Sequence, residues 1–349
     1  MKVLSPISLT SSVVDGGGFS IRCRRWLLKL VYGYAVFLLF VYYYVYRYYF
    51  SLHSRRSVIE RTLIENILFS GDAGEMKRSI DEGGMRWITE SDEFLRSVLS
   101  QSEHVSGKYP EFLVTTVRQR YALATLYFAT DGQKWRKNNQ NTKGSSGHAF
   151  LSNVSECEWY GITCNDQREI RWIDLSGNNL DGVIPWENIA FGRFLGAKTL
   201  EVLWFHNNDL RGKIDHVDWE SFKSLSSLSL GGNQLEGTLP QSLFKAKRNL
   251  NALRLNNNNF SGSVPSIISN VRNLAWLLLH ENTFSGSLPT DMRKLTNLET
   301  LSVYGNDGNV GGISSSFCAI DRIRIWTDCF NVVSGECSCC NECWSGPDK

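Results

Sequence analysis

The sequence has no surplus of charge. Thirty-seven Lys and Arg face 35 Asp and Glu, a net of +2. No basic field therefore exists to hold nucleic acid non-specifically, and nucleic acid is not expected among its partners. The marks of wholesale disorder are missing too, because 42% of residues are hydrophobic and 21% charged, close to ordinary globular usage. Catalytic signatures are also lacking. No D-x-D, H-E-x-x-H, G-x-S-x-G, G-x-G-x-x-G or P-loop occurs, which removes the transferases, proteases, hydrolases and nucleotide-binding folds that depend on them. The expectation is a non-enzyme with no catalytic residue, no cofactor and no metal site. Proline is scarce, at seven in 349 residues, and its placement becomes informative below.

Aromatic residues are plentiful and unevenly placed. From Trp26 to Phe50 the chain is apolar and aromatic, broken only by Lys29 and Arg47. The uncharged stretch Leu30–Tyr46 has 17 residues and the whole run 25. As a helix these are about 26 and 37 Å long, which brackets a hydrocarbon core of about 30 Å. Six tyrosines (Tyr42, Tyr43, Tyr44, Tyr46, Tyr48, Tyr49) crowd one end as an interfacial belt would. The run is too long for a signal-peptide core, and no A-x-A-like cleavage site follows; a buried soluble helix is the plain alternative. A cytosolic tail is expected over 1–25 and a transmembrane helix over 26–50. Flanking charge does not orient the span: Arg22, Arg24, Arg25 and Lys29 on one side balance Arg47, Arg55, Arg56 and Arg61 on the other. Cys23 is a palmitoylation candidate or an inert thiol.

Residues 51–115 read as a helical stalk, a spacer with packing helices. Val58, Ile59, Leu63, Ile64, Ile67 and Leu68 have helical spacing. Gly71, Gly74, Gly83 and Gly84 break that pattern. A second helix is expected after Ser91 and a third over Val117–Thr130.

From Ile170 the chain repeats itself as L-x-x-L-x-L-x-x-N-x-L-x-G-x-(I/L/V)-P. Copies start at Ile170, Leu200, Leu225, Leu250, Leu274 and Leu298, with spacings of 30, 25, 25, 24 and 24. The recurring asparagines are Asn178, Asn208, Asn233, Asn258, Asn282 and Asn306, and four of the seven prolines (Pro185, Pro240, Pro265, Pro289) share one repeat position. Alternating leucines point into a core from one short strand per coil. Where the chain turns inside that core, an asparagine amide both donates to and accepts from buried backbone groups. The first repeat carries extra residues, Trp186–Thr199, expected as a convex loop.

These motifs resemble the plant-type leucine-rich repeat. Cys157-Glu-Trp-Tyr-Gly-Ile-Thr-Cys164, with the preceding Arg120–Thr130, Asp131-Gly132 and Trp135, is similar to that family's N-terminal cap. The stretch from Arg86 onward also resembles a group of membrane-anchored leucine-rich-repeat proteins of algal, diatom-like genomes. The resemblance implies an α/β fold: a right-handed solenoid with a parallel β concave face, a helical N-cap and a disulfide-rich C-cap, preceded by one transmembrane helix. The expected domains are the N-terminal cap at 116–169, six repeats at 170–315 and a Cys-rich cap at 316–349. It departs from plant receptor kinases in its N-terminal span and in the absence of a following kinase. A tail of about 25 residues is too short to fold.

Eight cysteines follow the span: Cys157, Cys164, Cys318, Cys329, Cys337, Cys339, Cys340 and Cys343. Their even number and density point to disulfides and an oxidising compartment. The rear six allow 15 pairings, and Cys340-Asn-Glu-Cys343 leaves a zinc reading open. Two glycosylation sequons, Asn153-Val-Ser155 and Asn259-Phe-Ser261, together with cysteine parity orient the span: a single-pass type II protein of the plasma membrane or endomembrane, with its solenoid extracellular or lumenal.

A ligand should meet the concave strands. Trp172, Trp204, Trp276, Leu278 and Tyr304 are large apolar groups that the core does not need, joined there by Asp174, His206, Arg254 and His280. Exposed aromatics with arginine nearby are the chemistry of binding hot spots, although packing on strand neighbours is their structural alternative. Coil three offers only serine and glycine, so the expected surface is two aromatic ridges across a bare shelf. His206 and His280 share a column but lie three coils apart, about 14 Å, too far for one ion. Asp174 and Glu201 sit on adjacent coils without a pocket to raise a pKa. The expected function is recognition of a protein, peptide or glycan without a kinase of its own, through a signalling co-receptor. The alternative is a structural or adhesion module, or an inhibitor of polysaccharide-degrading enzymes.

Overall fold

The computed structural model describes residues 82–101, 110–137, 147–186, 199–245, 249–311, 317, 320, 323–328 and 342–344. All belong to the compact unit Glu60–Lys349. The apolar run Trp26–Phe50, Cys23, the periodic stretch 57–69, the loop 187–198 and five of the six rear cysteines lie outside the described residues. Among the described residues no helix is long and apolar enough to cross a membrane.

The first described element is α1 (Glu82–Glu90), followed by α2 (Glu93–Gln101) and α3 (Glu111–Ala129). Gly83 and Gly84 open α1 rather than interrupting a helix. A Cβ on Gly83 would lie 3.1 Å from the Phe128 ring, so the missing side chain lets α1 lie close on α3. α3 begins at Glu111, six residues ahead of the expected Val117, and crosses the expected boundary at 115/116. It is buried nearly all round, as a central helix must be. Met85, Trp87, Ile88 and Leu95 share one core with Tyr121, Trp135, Phe150 and Trp159.

At the centre of this cap lies Arg120, with no exposed surface. Its Nε donates to Asp92 Oδ2 at 2.5 Å and an Nη to Oδ1 at 2.7 Å. The guanidinium also sits 4.7–5.3 Å from the rings of Trp159, Phe94 and Trp87. A buried arginine is tolerated only with such pairing. The neighbouring Glu156 is buried; desolvation pushes its carboxyl above the usual range, opposed in part by Arg120. Gln119 links this cluster to the repeats, donating to Glu156 Oε1 at 3.0 Å and accepting from the Ile170 amide at 2.7 Å. Cys157 and Cys164 are joined, with Sγ atoms 2.02 Å apart.

The concave sheet starts with β1 (Ile162–Cys164), antiparallel to β2 (Ile170–Asp174). Parallel strands follow: Val202–Trp204 (β4), Ser227–Ser229 (β6), Ala252–Arg254 (β8), Trp276–Leu278 (β10) and Thr300–Ser302 (β12). Leu203, Leu228, Leu253, Leu277 and Leu301 stand in register and are fully buried. The asparagine ladder closes the turns beyond these strands. Asn258 Nδ2 donates to the carbonyls of Leu255 and, one coil back, Leu230, while its Oδ1 accepts from the Leu235 amide. Asn208, Asn233, Asn282 and Asn306 repeat the arrangement.

Two features exceed the sequence reading. After each asparagine the chain forms a second strand: Asp181–Val183 (β3), Asp209–Lys213 (β5), Gln234–Thr238 (β7), Asn259–Gly262 (β9), Asn282–Ser287 (β11) and Asn306–Gly311 (β13). They make a second, six-stranded parallel sheet. The column glycines Gly182, Gly212, Gly237, Gly262 and Gly286 lie within these strands at positive φ, so glycine bends a strand here rather than a bare turn. The concave sheet also continues past the expected sixth coil. Arg324–Asp328 (β14) pairs with β12, and Glu342–Trp344 (β15) pairs with β14. The region read as a cap thus carries sheet strands, with Ile325 and Thr327 buried like repeat leucines.

Candidate functional site

Strand register sorts the concave side chains into columns. One runs Trp172, Val202, Ser227, Ala252, Trp276, Thr300 and Arg324. The next runs Asp174, Trp204, Ser229, Arg254, Leu278, Ser302 and Trp326. Beyond the strand ends His206, Gly231, Asn256, His280 and Tyr304 occupy the corresponding places of their coils. Trp172, Trp276 and Trp326 are exposed at 45%, 40% and 39%, whereas Trp204, His206, Arg254, Leu278, His280 and Tyr304 are half-buried. Val202 and Ser229 are buried.

The structure gathers Trp204, His206, Arg254 and Leu278 around one trough of about 400 Å³, completed by Asn207, Ser229, Gly231 and Asn256. Its middle is the small-residue shelf. The Trp204 indole N–H donates to Ser227 Oγ at 2.8 Å, fixing the ring across the coil boundary. Ser229 Oγ lies 3.3 Å from His206 Nδ1. Burial lowers the His206 pKa, with Asp174 opposing. The Arg254 guanidinium carbon stands 4.5 Å from the centre of the Trp276 ring. His280 stacks on Tyr304, ring centres 4.5 Å apart, and burial pushes its pKa down to about 4. Tyr304 is pushed up by burial and by the carboxylates of Glu281 and Asp328.

Trp172 and Asp174 lie apart from this trough, in a depression of about 530 Å³ shared with cap residues Glu158 and Tyr160. Asp174 is engaged locally, accepting from Ser176 Oγ at 2.6 Å. Glu201 pairs with Arg171 at 2.7 Å. A depression of about 570 Å³ along one flank holds Asn249, Asn251, Asn273 and Asn297. Asn251 and Asn297 donate to neighbouring carbonyls at 3.2 and 3.0 Å, so that flank serves coil-to-coil bonding. Trp326 was missed from sequence; the alternation Ile323-x-Ile325-x-Thr327 is the signal that marks its strand. Among the described residues no cluster of His, Cys, Asp or Glu is arranged to hold a metal.

The family model described as Leucine Rich Repeat matches residues 169–188, 224–246 and 249–271. Over these segments the chain carries leucine-rich repeats. Among solved structures, this leucine-rich-repeat chain is similar to the Arabidopsis receptor kinase HAESA in complex with the peptide hormone IDA and the co-receptor SERK1. The identity is 25% and the TM-score 0.50, over 62% of this chain and 34% of that one. The plant peptide hormone receptor RGFR1 in complex with RGF2 matches at 29% identity and a TM-score of 0.44, over 49% of this chain and 26% of that one. The chain therefore spans about a third or less of the length of these receptor chains. No curated protein matches it.

Proposed function

We propose that this leucine-rich-repeat protein is a recognition module that captures a peptide, protein or glycan on its concave face and leaves signalling to a co-receptor. The carrying observation is the trough itself, where aromatic walls and a lone arginine surround a serine-glycine floor, in a position the fold does not need for its core. Similarity to HAESA, solved with a peptide hormone and a co-receptor, supports a proteinaceous ligand. His280 and Tyr304 flank the trough, and Trp172 and Asp174 offer further contacts from the depression beside the cap. The run Trp26–Phe50 anchors the chain as a type II protein, with Asn153 and Asn259 glycosylated; both asparagines are exposed. No chemistry is assigned to the face.

The test is equilibrium binding with the full chain in detergent, against peptide and glycan arrays. Changing Trp204 and Trp276 together to Ala should reduce binding of the retained ligand about a thousandfold, the loss of two aromatic anchors of about 2 kcal/mol each. The circular dichroism spectrum should stay unchanged. Retention of every ligand by the double variant would refute the concave-face reading. Self-association that rises with surface density, with no array ligand, would instead favour an adhesion module.

A further inference from the structure

Arg254 is unlike the other arginines of the inner face. Arg171 is held by Glu201 through two hydrogen bonds, at 3.1 and 2.7 Å, and Arg324 is exposed. Arg254 is half-buried, and among the described residues no carboxylate pairs with its guanidinium. Taking a guanidinium out of water without a counter-ion costs free energy, and the face of Trp276 offsets only part of it, about 0.5–2 kcal/mol. Burial lowers the Arg254 pKa for the same reason. An anion arriving from outside would complete the site.

The surroundings select the kind of anion. A guanidinium presents a planar fork that matches two carboxylate oxygens. One face of the Trp276 ring is covered by Arg254, and the indole N–H of Trp204, committed to Ser227, is not available to bond a sugar hydroxyl. Asn207 and Asn256 line the same trough, and side-chain amides offer the donor and acceptor that a peptide group needs. From Trp204 to Leu278 is three coils, about 14 Å, the length of roughly four extended residues.

We propose that the trough is a subsite for an aspartate or glutamate side chain of an extended peptide, its carboxylate received by Arg254 while neighbouring peptide residues rest on Trp204 and Leu278. This rests on the concave-face reading above. The test is affinity selection of random dodecapeptides on the full chain, followed by titration of the selected peptides against Arg254→Gln, Arg254→Lys and the Trp204/Trp276 double alanine variant. Thermal melts of each verify folding. The selected peptides should share one acidic position. Binding should weaken about tenfold or more in Arg254→Gln, the scale of a charge-assisted bond, and by less in Arg254→Lys, which keeps the charge and loses the fork. Amidating the shared acidic residue should weaken binding to the wild type and make no difference to Arg254→Gln. Selected peptides without an acidic position, or unchanged binding to folded Arg254→Gln, would overturn the subsite alone. If only uronate-bearing oligosaccharides are retained, the peptide assignment falls and the concave-face reading stands. Peptides that bind the double alanine variant as well as the wild type would overturn that reading itself.

Discussion

Asn258 satisfies three buried backbone groups on three stretches of chain: the carbonyls of Leu255 and Leu230 and the amide of Leu235. Truncation to alanine strands them together, which costs far more than one net hydrogen bond. Asn258→Ala should lose about 3 kcal/mol in urea denaturation; a loss below about 1 kcal/mol would mean that water replaces the amide. His280 gives a second prediction at this scale. Its folded pKa of about 4 lies below the ordinary value of 6.5. The unfolded chain thus gains a proton between pH 6.5 and 4 that the folded chain does not. The stability this neutral ring contributes is complete above pH 6.5 and is lost as the pH falls toward 4. His280→Phe, which keeps a ring against Tyr304, should flatten that decline by about one proton; an unchanged slope would place the titration elsewhere.

At the scale of elements, Asp92, which precedes α2 and accepts from the Leu95 amide, ties that helix start to Arg120 of α3, and both side chains are wholly buried. Asp92→Ala leaves a buried cation facing three rings and should cost about 3–5 kcal/mol. Replacing Asp92 with leucine, Arg120 with methionine and Glu156, which also pairs with Arg120 at 3.4 Å, with glutamine should restore most of it. Hydrogen exchange across α3 measures the cap locally, and equal protection in Asp92→Ala and wild type would contradict the latch. This junction was hard to read in the sequence, because Asp92 and Arg120 are 28 positions apart and no periodicity joins them. Gly83 read as a breaker because a helix start and a helix break use the same residue. The coils themselves were legible, since their leucines, asparagines and glycines recur at fixed spacing. The second sheet was not, because Leu210-x-Gly212 and its counterparts read equally as a bend. Trp204 and Arg254 were legible as surface side chains from strand alternation. The placement of Arg254 over Trp276 depends on registry between β8 and β10 and on rotamers, which spacing alone does not specify.

For the whole molecule, the proposed topology makes a separate prediction. With the solenoid lumenal, Asn153→Gln and Asn259→Gln should each remove one step of the mobility shift produced by N-glycan removal. Asn153 Nδ2 now donates to Glu93 Oε2 at 2.6 Å, so a glycan there must displace that contact. Sealed microsomes should protect the solenoid from protease; complete digestion from the cytosolic side would overturn the orientation. The central claim, that ligand lands in the trough of coils two to five, is tested most directly by hydrogen exchange of the full chain with and without a selected peptide. The expected result is new protection confined to the segments carrying Trp204–Asn207, Ser229–Gly231, Arg254–Asn256 and Trp276–His280. Protection confined to β5, β7 and β9 of the second sheet, or to α1–α3, would contradict it.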